Sequence, residues 1–368
     1  MIYLCIMKLT LKIKLLPSEE QAQKLLDTIK EVNTACNEIS DVAWEKKTFN
    51  TFKLHNLTYY HIKSVFGLSS QLIVRAISKV SASYKLNKKC KQVFRLNGSI
   101  AYDSRILSYS KDFISISTIK GRIKIHFICH RPDWLPYIKG EADLIARKGK
   151  YFLFQCVEFP DEKVKNVEEF IGCDFGLVDI CTLNNGKSFN SKSLQNYREK
   201  RQKIRSSLQS KGTKNAKRVL KRLSGKERTH GTIINHTISK QIIQFAKIEN
   251  KGIAIEDLKG IRFSSLKKGK KFRSKVGKWS FYQLRQFLTY KSLLNGIPLV
   301  IVNPRYTSQM CNECKCIGTR QGKIFQCTNK NCKIDTLDAD YNAAKNISLL
   351  GRSINNAENS TMYCSLHS

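Results

Sequence analysis

The sequence predicts a multidomain chain, in which an N-terminal β-barrel with a helical insert is followed by an α/β domain that carries a cysteine-rich insertion. Three observations support this fold class. Short segments between residues 93 and 157 have apolar residues at alternate positions, which is the period of half-buried strands. Continuous apolar runs near residues 170 and 252 are typical of fully buried strands. Five of the 13 cysteines lie between residues 311 and 332.

The first strand and the first helix have clear boundaries. Apolar residues alternate over residues 9–15, and Pro17 ends this strand. Ser18 and Gln21 have the spacing of a capping box, which predicts that a helix opens there. Because helical patterning continues to about Lys88, a helical insert separates the first strand from the rest of the barrel.

The other strands of the predicted barrel come from residues 90–160, where glycines punctuate the chain at hairpin spacings. Their sequences are VFRL, SIAY, FISIST, RIKIHFIC, EADLIAR and KYFLFQCVEF. One segment, HFICH, contains His126, Cys129 and His130, which are residue types that bind metals. Its alternation favours an ordinary strand over a metal site.

The net charge points to a polyanionic partner. The 368 residues include 65 Lys+Arg and 29 Asp+Glu, which gives a formal charge of +36 at pH 7. A field of this sign and size attracts nucleic acid. An anionic membrane is the competing explanation, and we find no apolar run near the ~18 residues that a spanning helix needs. The sequence therefore favours nucleic acid and predicts no membrane partner.

Three carboxylates stand where apolar segments end. Asp174 and Glu256 close buried strands, and Asp340 lies in the motif LDADYNAAKN behind the cysteines. Taken singly, each acid fits an exposed turn better than a catalytic site. Brought together, they would need a divalent cation, because an isolated buried carboxylate is costly. Mg²⁺ takes oxygen ligands, and paired metals promote phosphodiester hydrolysis.

The cysteine cluster has the spacing of a zinc ribbon. Cys311 and Cys314 form a CxxC pair, and Cys327 and Cys332 form a CxxxxC pair. Two such thiolate pairs on a hairpin suit tetrahedral Zn²⁺, and four sulfur ligands leave no open position for catalysis. Cys316 is an extra thiol that competes with Cys314 as a ligand. The other eight cysteines are expected to be reduced, since no secretory signal is visible.

Two basic segments follow the first carboxylate. Residues 198–228 contain thirteen lysines and arginines and two acids. Their apolar spacing predicts a pair of helices hinged at Gly212, and their charge favours contact with a phosphate backbone over a merely solvated face. Residues 262–279 are predicted to form a loop after the Glu256 strand; contact with nucleic acid and a plain connector remain alternatives for this loop.

These motifs resemble the TnpB family of RNA-guided nucleases, which bacterial and archaeal insertion sequences encode and which are related to type V CRISPR effectors. GCDFGLVDICTLNNGKSF and IAIEDLKGI resemble the first two RuvC motifs of the family. NPRYTSQMCNECKCIG, RQGKIFQCTNKNC and DADYNAAKNI resemble its C-terminal signature. The resemblance covers nearly the whole chain, although between about residues 50 and 150 it rests on organisation rather than motifs.

The resemblance implies roles for seven residues. Asp174, Glu256 and Asp340 match the RuvC catalytic triad, which implies Mg²⁺ as catalytic cofactor, and Cys311, Cys314, Cys327 and Cys332 match the zinc ribbon, which implies structural Zn²⁺. Lys315 departs from the family pattern, since glycine commonly follows the second cysteine. In the motif after the ribbon, Ala343 and Ala344 are predicted to pack a helix closely on the sheet, and Asn342 to hydrogen-bond the turn that carries Asp340.

The implied fold is an N-terminal β-barrel with a helical insert, then a RuvC/RNase H-like α/β nuclease domain with an inserted zinc ribbon. The expected boundaries are 1–17 and 89–165 for the wedge-like barrel, 18–88 for the helical recognition insert, 166–305 and 336–352 for the RuvC-like domain, 306–335 for the zinc ribbon, and 353–368 for a disordered tail.

The implied function is RNA-guided cleavage of DNA by a transposable element. The expected partners are a guide RNA derived from the transposon end and double-stranded target DNA, and the expected location is the cytoplasm, associated with the nucleoid. Hydrolysis would leave 3′-hydroxyl and 5′-phosphate ends. Two alternatives remain: a nuclease-inactive, RNA-guided DNA-binding regulator, and a transposase or accessory transposition factor.

Overall fold

The computed structural model describes residues 7–160, 162, 164–259 and 269–357. The chain divides after residue 160 into two compact units, which are described separately.

Three helices and a curved sheet form the first unit. The helices are α1 (Glu19–Glu45), α2 (Thr51–Val65) and α3 (Ser70–Leu86). The predicted capping box opens α1, because the backbone N–H of Gln21 donates to Ser18 Oγ (3.2 Å) and the backbone N–H of Ser18 donates to Gln21 Oε1 (3.1 Å). The helices occupy the predicted position of the insert, between the first strand and the remaining ones.

The sheet of the first unit is a nearly closed barrel. Its strands are β1 (Met7–Leu16), β2 (Ile100–Tyr102), β3 (Leu107–Tyr109), β4 (Phe113–Thr118), β5 (Gly121–Cys129), β6 (Ile138–Arg147) and β7 (Lys150–Phe159), in the order β2-β6-β7-β1-β5-β4-β3. The central strand β1 pairs antiparallel with β5 and β7. Between the two ends of the sheet, the Tyr102 hydroxyl on β2 donates to the Ser117 carbonyl on β4 (2.9 Å).

One predicted strand of this unit is wrong. Residues 93–96, VFRL, are not a strand, because an α1 side chain takes up the backbone groups of Phe94. The Phe94 N–H donates to Asn37 Oδ1 (2.7 Å), and Asn37 Nδ2 donates to the Phe94 carbonyl (3.0 Å). The strand interpretation of HFICH is confirmed, since His126 and Cys129 lie in β5.

A five-stranded sheet forms the centre of the second unit. Its strands are β8 (Phe170–Asp174), β9 (Asp179–Leu183), β10 (Ser188–Asn190), β11 (Gly252–Glu256) and β12 (Leu299–Val302), in the order β10-β9-β8-β11-β12. Strands β8, β11 and β12 are parallel, whereas β9 and β10 are antiparallel to their neighbours. The predicted hairpin turn at 184–187 connects β9 to β10, with Gly186 at a φ of 85°.

Helices cover both faces of this sheet. The described helices of this unit are α4 (Lys192–Lys211), α5 (Lys214–Leu223), α6 (Lys226–Ile248), α7 (Lys270–Lys278), α8 (Phe281–Leu293) and α9 (Ala339–Ala357). Apolar residues of α6 and α8 pack with Ile171 and Ile255 on one face. On the other face, Ile347 of α9 packs with Phe170 and Ala254. The predicted hinge is confirmed, because Gly212 ends α4 in a left-handed conformation.

Two boundaries differ from those predicted. The predicted loop at 262–279 includes a helix, α7, from Lys270 to Lys278, while residues 260–268 lie outside the described residues. Helix α9 continues to Ala357, so the boundary of the predicted tail at residue 353 falls inside a helix; residues 358–368 lie outside the described residues.

A small sheet lies between β12 and α9 in the sequence. Its antiparallel strands are β13 (Thr319–Gln321), β14 (Ile324–Gln326) and β15 (Thr336–Asp338). The four predicted zinc ligands flank these strands. Strand β15 runs directly into α9, so this sheet is continuous with the helix that carries Asp340.

Helix α9 lies very close to β8. A Cβ added at Gly172 would stand 1.9 Å from the Ala344 carbonyl oxygen and 2.6 Å from the Ser348 nitrogen. Both are backbone atoms, which cannot move away without moving the helix. The predicted close packing at the paired alanines is therefore confirmed, and Gly172 is the residue that permits it.

Substitution of Gly172 by alanine is expected to destabilise the second unit by about 3 kcal/mol or more, at the upper end of overpacking effects. The reason is that α9 must shift away from the sheet. Urea unfolding of the purified variant measures the change. The matched control is Gly277→Ala in α7, where an added Cβ meets nothing within 4 Å; we expect it to be neutral or stabilising by up to ~1 kcal/mol. Equal midpoints for the two variants would contradict the packing argument.

Candidate active site

Two of the predicted acids end adjacent parallel strands. Ile255 on β11 pairs with Cys173 on β8, so the next residues, Glu256 and Asp174, lie side by side at the carboxyl ends of their strands. Side chains alternate along a strand. Asp174 therefore points to the same face as Gly172, which is the face that α9 covers.

The third acid comes from the start of α9. Asp340 lies in the first turn of this helix, directly after β15. The turn is fixed by Asp338, whose Oδ1 accepts the backbone N–H groups of Asp340 (3.0 Å) and Tyr341 (2.9 Å). Asp338 is therefore the helix cap, and its charge suits the positive end of the helix dipole. This separates the roles of two acids that are only two residues apart.

The electrostatics show that the three acids share one environment. Burial raises the pKa of the Asp174 carboxyl well above its ordinary value, and the charges of Glu256 and Asp340 raise it further. Burial also raises the pKa of Glu256, which the hydrogen bond from Thr307 opposes. A buried acid that repels its neighbours in this way is stabilised by any bound cation.

Basic side chains from the cysteine-rich sheet already serve as counter-ions. Arg320 on β13 donates from Nη2 to Asp340 Oδ1 (2.7 Å). Its positive charge partly offsets the rise in the pKa of Asp174 and of Glu256. Lys323, in the β13–β14 turn, pairs with the buried Asp179 at the start of β9. These contacts bind the tip of the hairpin to the acidic edge of the five-stranded sheet.

Sequence reasoning did not find Arg320, Lys323 or Thr307. The Thr307 hydroxyl donates to Glu256 Oε1 (2.5 Å), but it lies 51 residues further along the chain. No motif marks that pairing. The sequence did contain a signal for Arg320 and Lys323. Both lie beside the short turn of the hairpin between the two cysteine pairs, where a basic side chain can reach the surface on which the hairpin packs.

The cysteines form the tightest cluster of metal-binding groups in the described part of the chain. The Sγ atoms of Cys311, Cys314, Cys327 and Cys332 all lie within 4.8 Å of one another, and no other group of three or more described His, Cys, Asp or Glu residues does so. Two of the separations are 3.8 Å and 3.5 Å. Tetrahedral zinc with Zn–S bonds of about 2.3 Å requires sulfurs about 3.8 Å apart. The donor set therefore fits zinc.

Cys316 is not part of this set. Its side chain is exposed. The hydrogen bond from its backbone N–H is the largest of several contacts that lower the pKa of the Cys314 thiol to about 6. Stabilisation of the thiolate prepares Cys314 to bind a metal. Between them, Lys315 has a φ of 63°, a left-handed conformation that glycine adopts at lower cost. This is the position where the family commonly has glycine.

Two asparagines of α9 hold the first cysteine turn. The Asn342 amide donates to the Met310 carbonyl (2.8 Å) and accepts from both the backbone and the side chain of Asn312 (2.9 Å each). Asn346 also donates to the Met310 carbonyl (2.6 Å). The predicted bond from Asn342 to the turn of Asp340 is wrong, because Asp338 caps that turn and Asn342 faces the cysteines instead.

The raised pKa of Asp174 leads to a prediction about stability. A carboxyl with a raised pKa in the folded state favours folding at low pH, and this contribution is lost as the pH rises through that pKa. We therefore expect metal-free Asp174→Asn to become more stable than the parent as the pH rises above the ordinary value of 3.8. A difference of 1 kcal/mol corresponds to about 2–4 °C in Tm.

The measurement is thermal unfolding of both proteins from pH 4 to pH 8, with and without magnesium. Magnesium at pH 7.5 is expected to stabilise the parent and to leave the variant unchanged. A Tm difference that stays constant with pH, or equal stabilisation of both proteins by magnesium, would count against the shared acidic environment.

Two family models match parts of this chain. The family model described as a probable transposase matches residues 154–260, and the model described as Cas12f1-like, TNB domain, matches residues 281–347. TnpB-like protein MJ0751 of Methanocaldococcus jannaschii is 35% identical over 142 residues. The resemblance to the TnpB family is confirmed. The alignment with the M. jannaschii protein covers 38% of this chain and about half (51%) of that protein.

The chain is also similar to CRISPR effectors. The CRISPR-associated endodeoxyribonuclease Cas12f1 of Syntrophomonas palmitatica is 24% identical over 80% of this chain and 72% of its own length. The Cas12f1 chain in a cryo-EM structure of a Cas12f1–sgRNA–target DNA complex superposes with a TM-score of 0.57 over 93% of this chain and 98% of its own. At 13% identity, that likeness shows the fold.

Among the described helices, none is both long and apolar enough to cross a membrane.

Proposed function

We propose that this protein is an RNA-guided DNA endonuclease that hydrolyses phosphodiester bonds at Asp174, Glu256 and Asp340. The observation that carries the proposal is the convergence of these acids, which are 82 and 84 residues apart in sequence, at one edge of the five-stranded sheet. The order β10-β9-β8-β11-β12, with α9 across one face, supports an RNase H-like assignment for this unit. The names of the relatives support the guided activity.

The donor set fits Mg²⁺, which prefers carboxylate oxygens. Magnesium bound there would supply activation of water and stabilisation of the leaving oxygen. Asp174 and Asp340 would hold the metal, and Glu256, oriented by the hydroxyl of Thr307, would complete the set. Arg320 holds Oδ1 of Asp340, so a metal at this carboxylate would bind Oδ2 or displace the guanidinium.

The four cysteines are proposed to bind one structural Zn²⁺. The domain boundaries stated from the sequence are retained as a proposal, except that the second RuvC-like segment runs to the end of α9 at Ala357. In this assignment residues 306–335 form a zinc ribbon inserted in a RuvC-like domain of residues 166–305 and 336–357. The ribbon would act on catalysis by positioning, because β15 leads into Asp340 and β13 carries Arg320.

The proposed partners are a guide RNA from the transposon end and double-stranded target DNA. In RNA-guided nucleases, base pairing reads the sequence while the protein binds the backbone. The helices α4 and α5 offer such a surface, since nearly all their lysines and arginines are exposed. A charge of +36 suits a protein that holds several nucleic-acid strands.

Neutralisation of four exposed lysines on these helices is expected to weaken nucleic-acid binding. The set is Lys203, Lys211, Lys217 and Lys221, each changed to glutamine. Each phosphate that is no longer neutralised reduces the slope of log K against log salt by about 0.7–0.9. Binding of a labelled RNA at several salt concentrations measures the slope. The control has arginine at the same four positions and should keep the slope of the parent. Equal slopes for all three proteins would show that these helices are solvated and do not bind phosphates.

The proposed function has a direct test. RNA that co-purifies with the protein is sequenced, reprogrammed to match a plasmid, and mixed with protein, magnesium and that plasmid. Guide-dependent cutting supports the proposal. Guided binding without cutting would favour the nuclease-inactive regulator, and strand joining would favour a transposase.

A further inference from the structure

Tyr282 lies between two cavities of the second unit. The smaller, of about 60 Å³, adjoins Glu256 and is lined also by Phe175, Phe281 and Arg285. The larger, of about 460 Å³, is lined by arginines from α4 and α6. Tyr282 lines both cavities. It is therefore shared by the larger cavity and by the cavity that adjoins the predicted catalytic residue Glu256.

The larger cavity is positively charged. Arg198, Arg205 and Arg228 line it together with one acid, Glu227. Arg198 and Arg205 both approach that acid, at 3.4 Å and 3.8 Å, so its charge is more than balanced. A further cavity of about 250 Å³ shares Arg205 and Glu227 with it. That cavity adds Arg201 of α4 to the cationic lining.

The backbone that presents Tyr282 is firmly held. Phe281 is buried and packs edge-on against Trp279, with ring centroids 3.7 Å apart. The Asn235 side chain on α6 donates to the Ser280 carbonyl (3.1 Å). Tyr282 nevertheless keeps 66% of its surface exposed. A large ring that is exposed at the anchored start of a helix, beside cations, has the features of a platform on which nucleic-acid bases stack.

We propose that Tyr282, Arg205 and Arg228 form a binding site for one unpaired nucleic-acid strand on its way to the carboxylates. A base stacks on the ring of Tyr282, and the two arginines hold backbone phosphates of neighbouring nucleotides. The strand is single because a base must leave its pair to lie on a protein ring. The site rests on the proposed function, and it adds a residue that positions the substrate strand rather than one that reacts.

A photo-crosslinking experiment tests the site without relying on cleavage. The full-length protein is mixed with a 12-nucleotide oligothymidylate that carries one 5-iodouracil, without added magnesium, and irradiated. Mass spectrometry then locates the adducts. We expect an adduct within residues 279–285, and an affinity for the oligothymidylate that falls about five-fold or more in Tyr282→Ala. Tyr282→Phe keeps the ring and should retain both signals.

Two comparisons separate stacking from charge. A 12-nucleotide abasic strand cannot stack, so Tyr282→Ala should bind it as the parent does. The double variant Arg205→Ala with Arg228→Ala should bind both oligonucleotides more weakly and reduce the salt slope by about 0.7 for each phosphate that the arginines no longer bind. The matched control is Phe272→Ala, which removes an exposed ring of α7 outside these cavities and should change nothing.

The result that overturns the inference is the absence of adducts at residues 279–285 in the parent, or unchanged binding in Tyr282→Ala. The proposed function fails differently. If the parent protein forms the adduct but does not cut a matched plasmid with magnesium, the strand-binding site is supported and the proposed nuclease activity is refuted.

Discussion

Asp340→Asn is expected to abolish guided plasmid cutting, with a loss of roughly three orders of magnitude or more, while binding of the matched DNA persists. The substitution keeps the size of the side chain and its bond to Arg320, but it removes a charge that magnesium needs. Asp174→Asn and Glu256→Gln should behave alike. Because the three acids act as a unit, a double variant should be barely worse than a single one.

Asp338 provides a control two residues away. Its Oδ1 caps α9 by accepting two backbone N–H groups. Asp338→Asn retains an oxygen acceptor at this position and loses the charge, so it should keep most of the cleavage activity. Asp338→Ala removes the cap as well and should cost about 1 kcal/mol of stability. An inactive Asp338→Asn beside an active Asp340→Asn would reverse the assignment, and full cutting by both would refute the mechanism.

Cys327→Ser is expected to remove zinc and unfold the cysteine-rich sheet, and with it the cleavage activity. Structural zinc in small sites contributes an apparent ~10–16 kcal/mol that appears only when the site folds. The loss should spread, because β15 leads into the turn of Asp340 and because Asn342 and Asn346 bind the first cysteine turn. The zinc content, the Tm and the rate of plasmid cutting should therefore all fall in this variant.

Cys316→Ser is the matched control for this experiment. Its thiol lies outside the four-sulfur cluster, and the backbone N–H that it offers to Cys314 survives the substitution. It should retain one zinc per chain and the parent Tm. Full zinc occupancy in Cys327→Ser would count against the assignment, and loss of that zinc in the double variant would identify Cys316 as the substitute ligand.

Local patterns determined much of the fold. The alternation around residues 9–15 predicted β1, and the capping box at Ser18 predicted the start of α1. Gly212 marked the end of α4. Such features depend on a few neighbouring residues, so a linear pattern contains them. The segment VFRL shows the limit of such patterns. A short apolar pattern does not specify whether its backbone groups pair with another strand or, as here, hydrogen-bond to a side chain, Asn37 of α1.

The sequence by itself predicted the residues that are proposed to carry the chemistry. Acids at the ends of apolar runs are conspicuous because a buried carboxylate without a partner is costly. Cysteines in two short pairs are conspicuous because their spacing suits a metal. Only the tertiary structure decided what surrounds them. Arg320 and Thr307 reach the acidic edge through contacts between segments far apart in the chain, and Asn342 turns to the cysteines. Such contacts follow from how helices and hairpins pack on a sheet, which a local pattern does not specify.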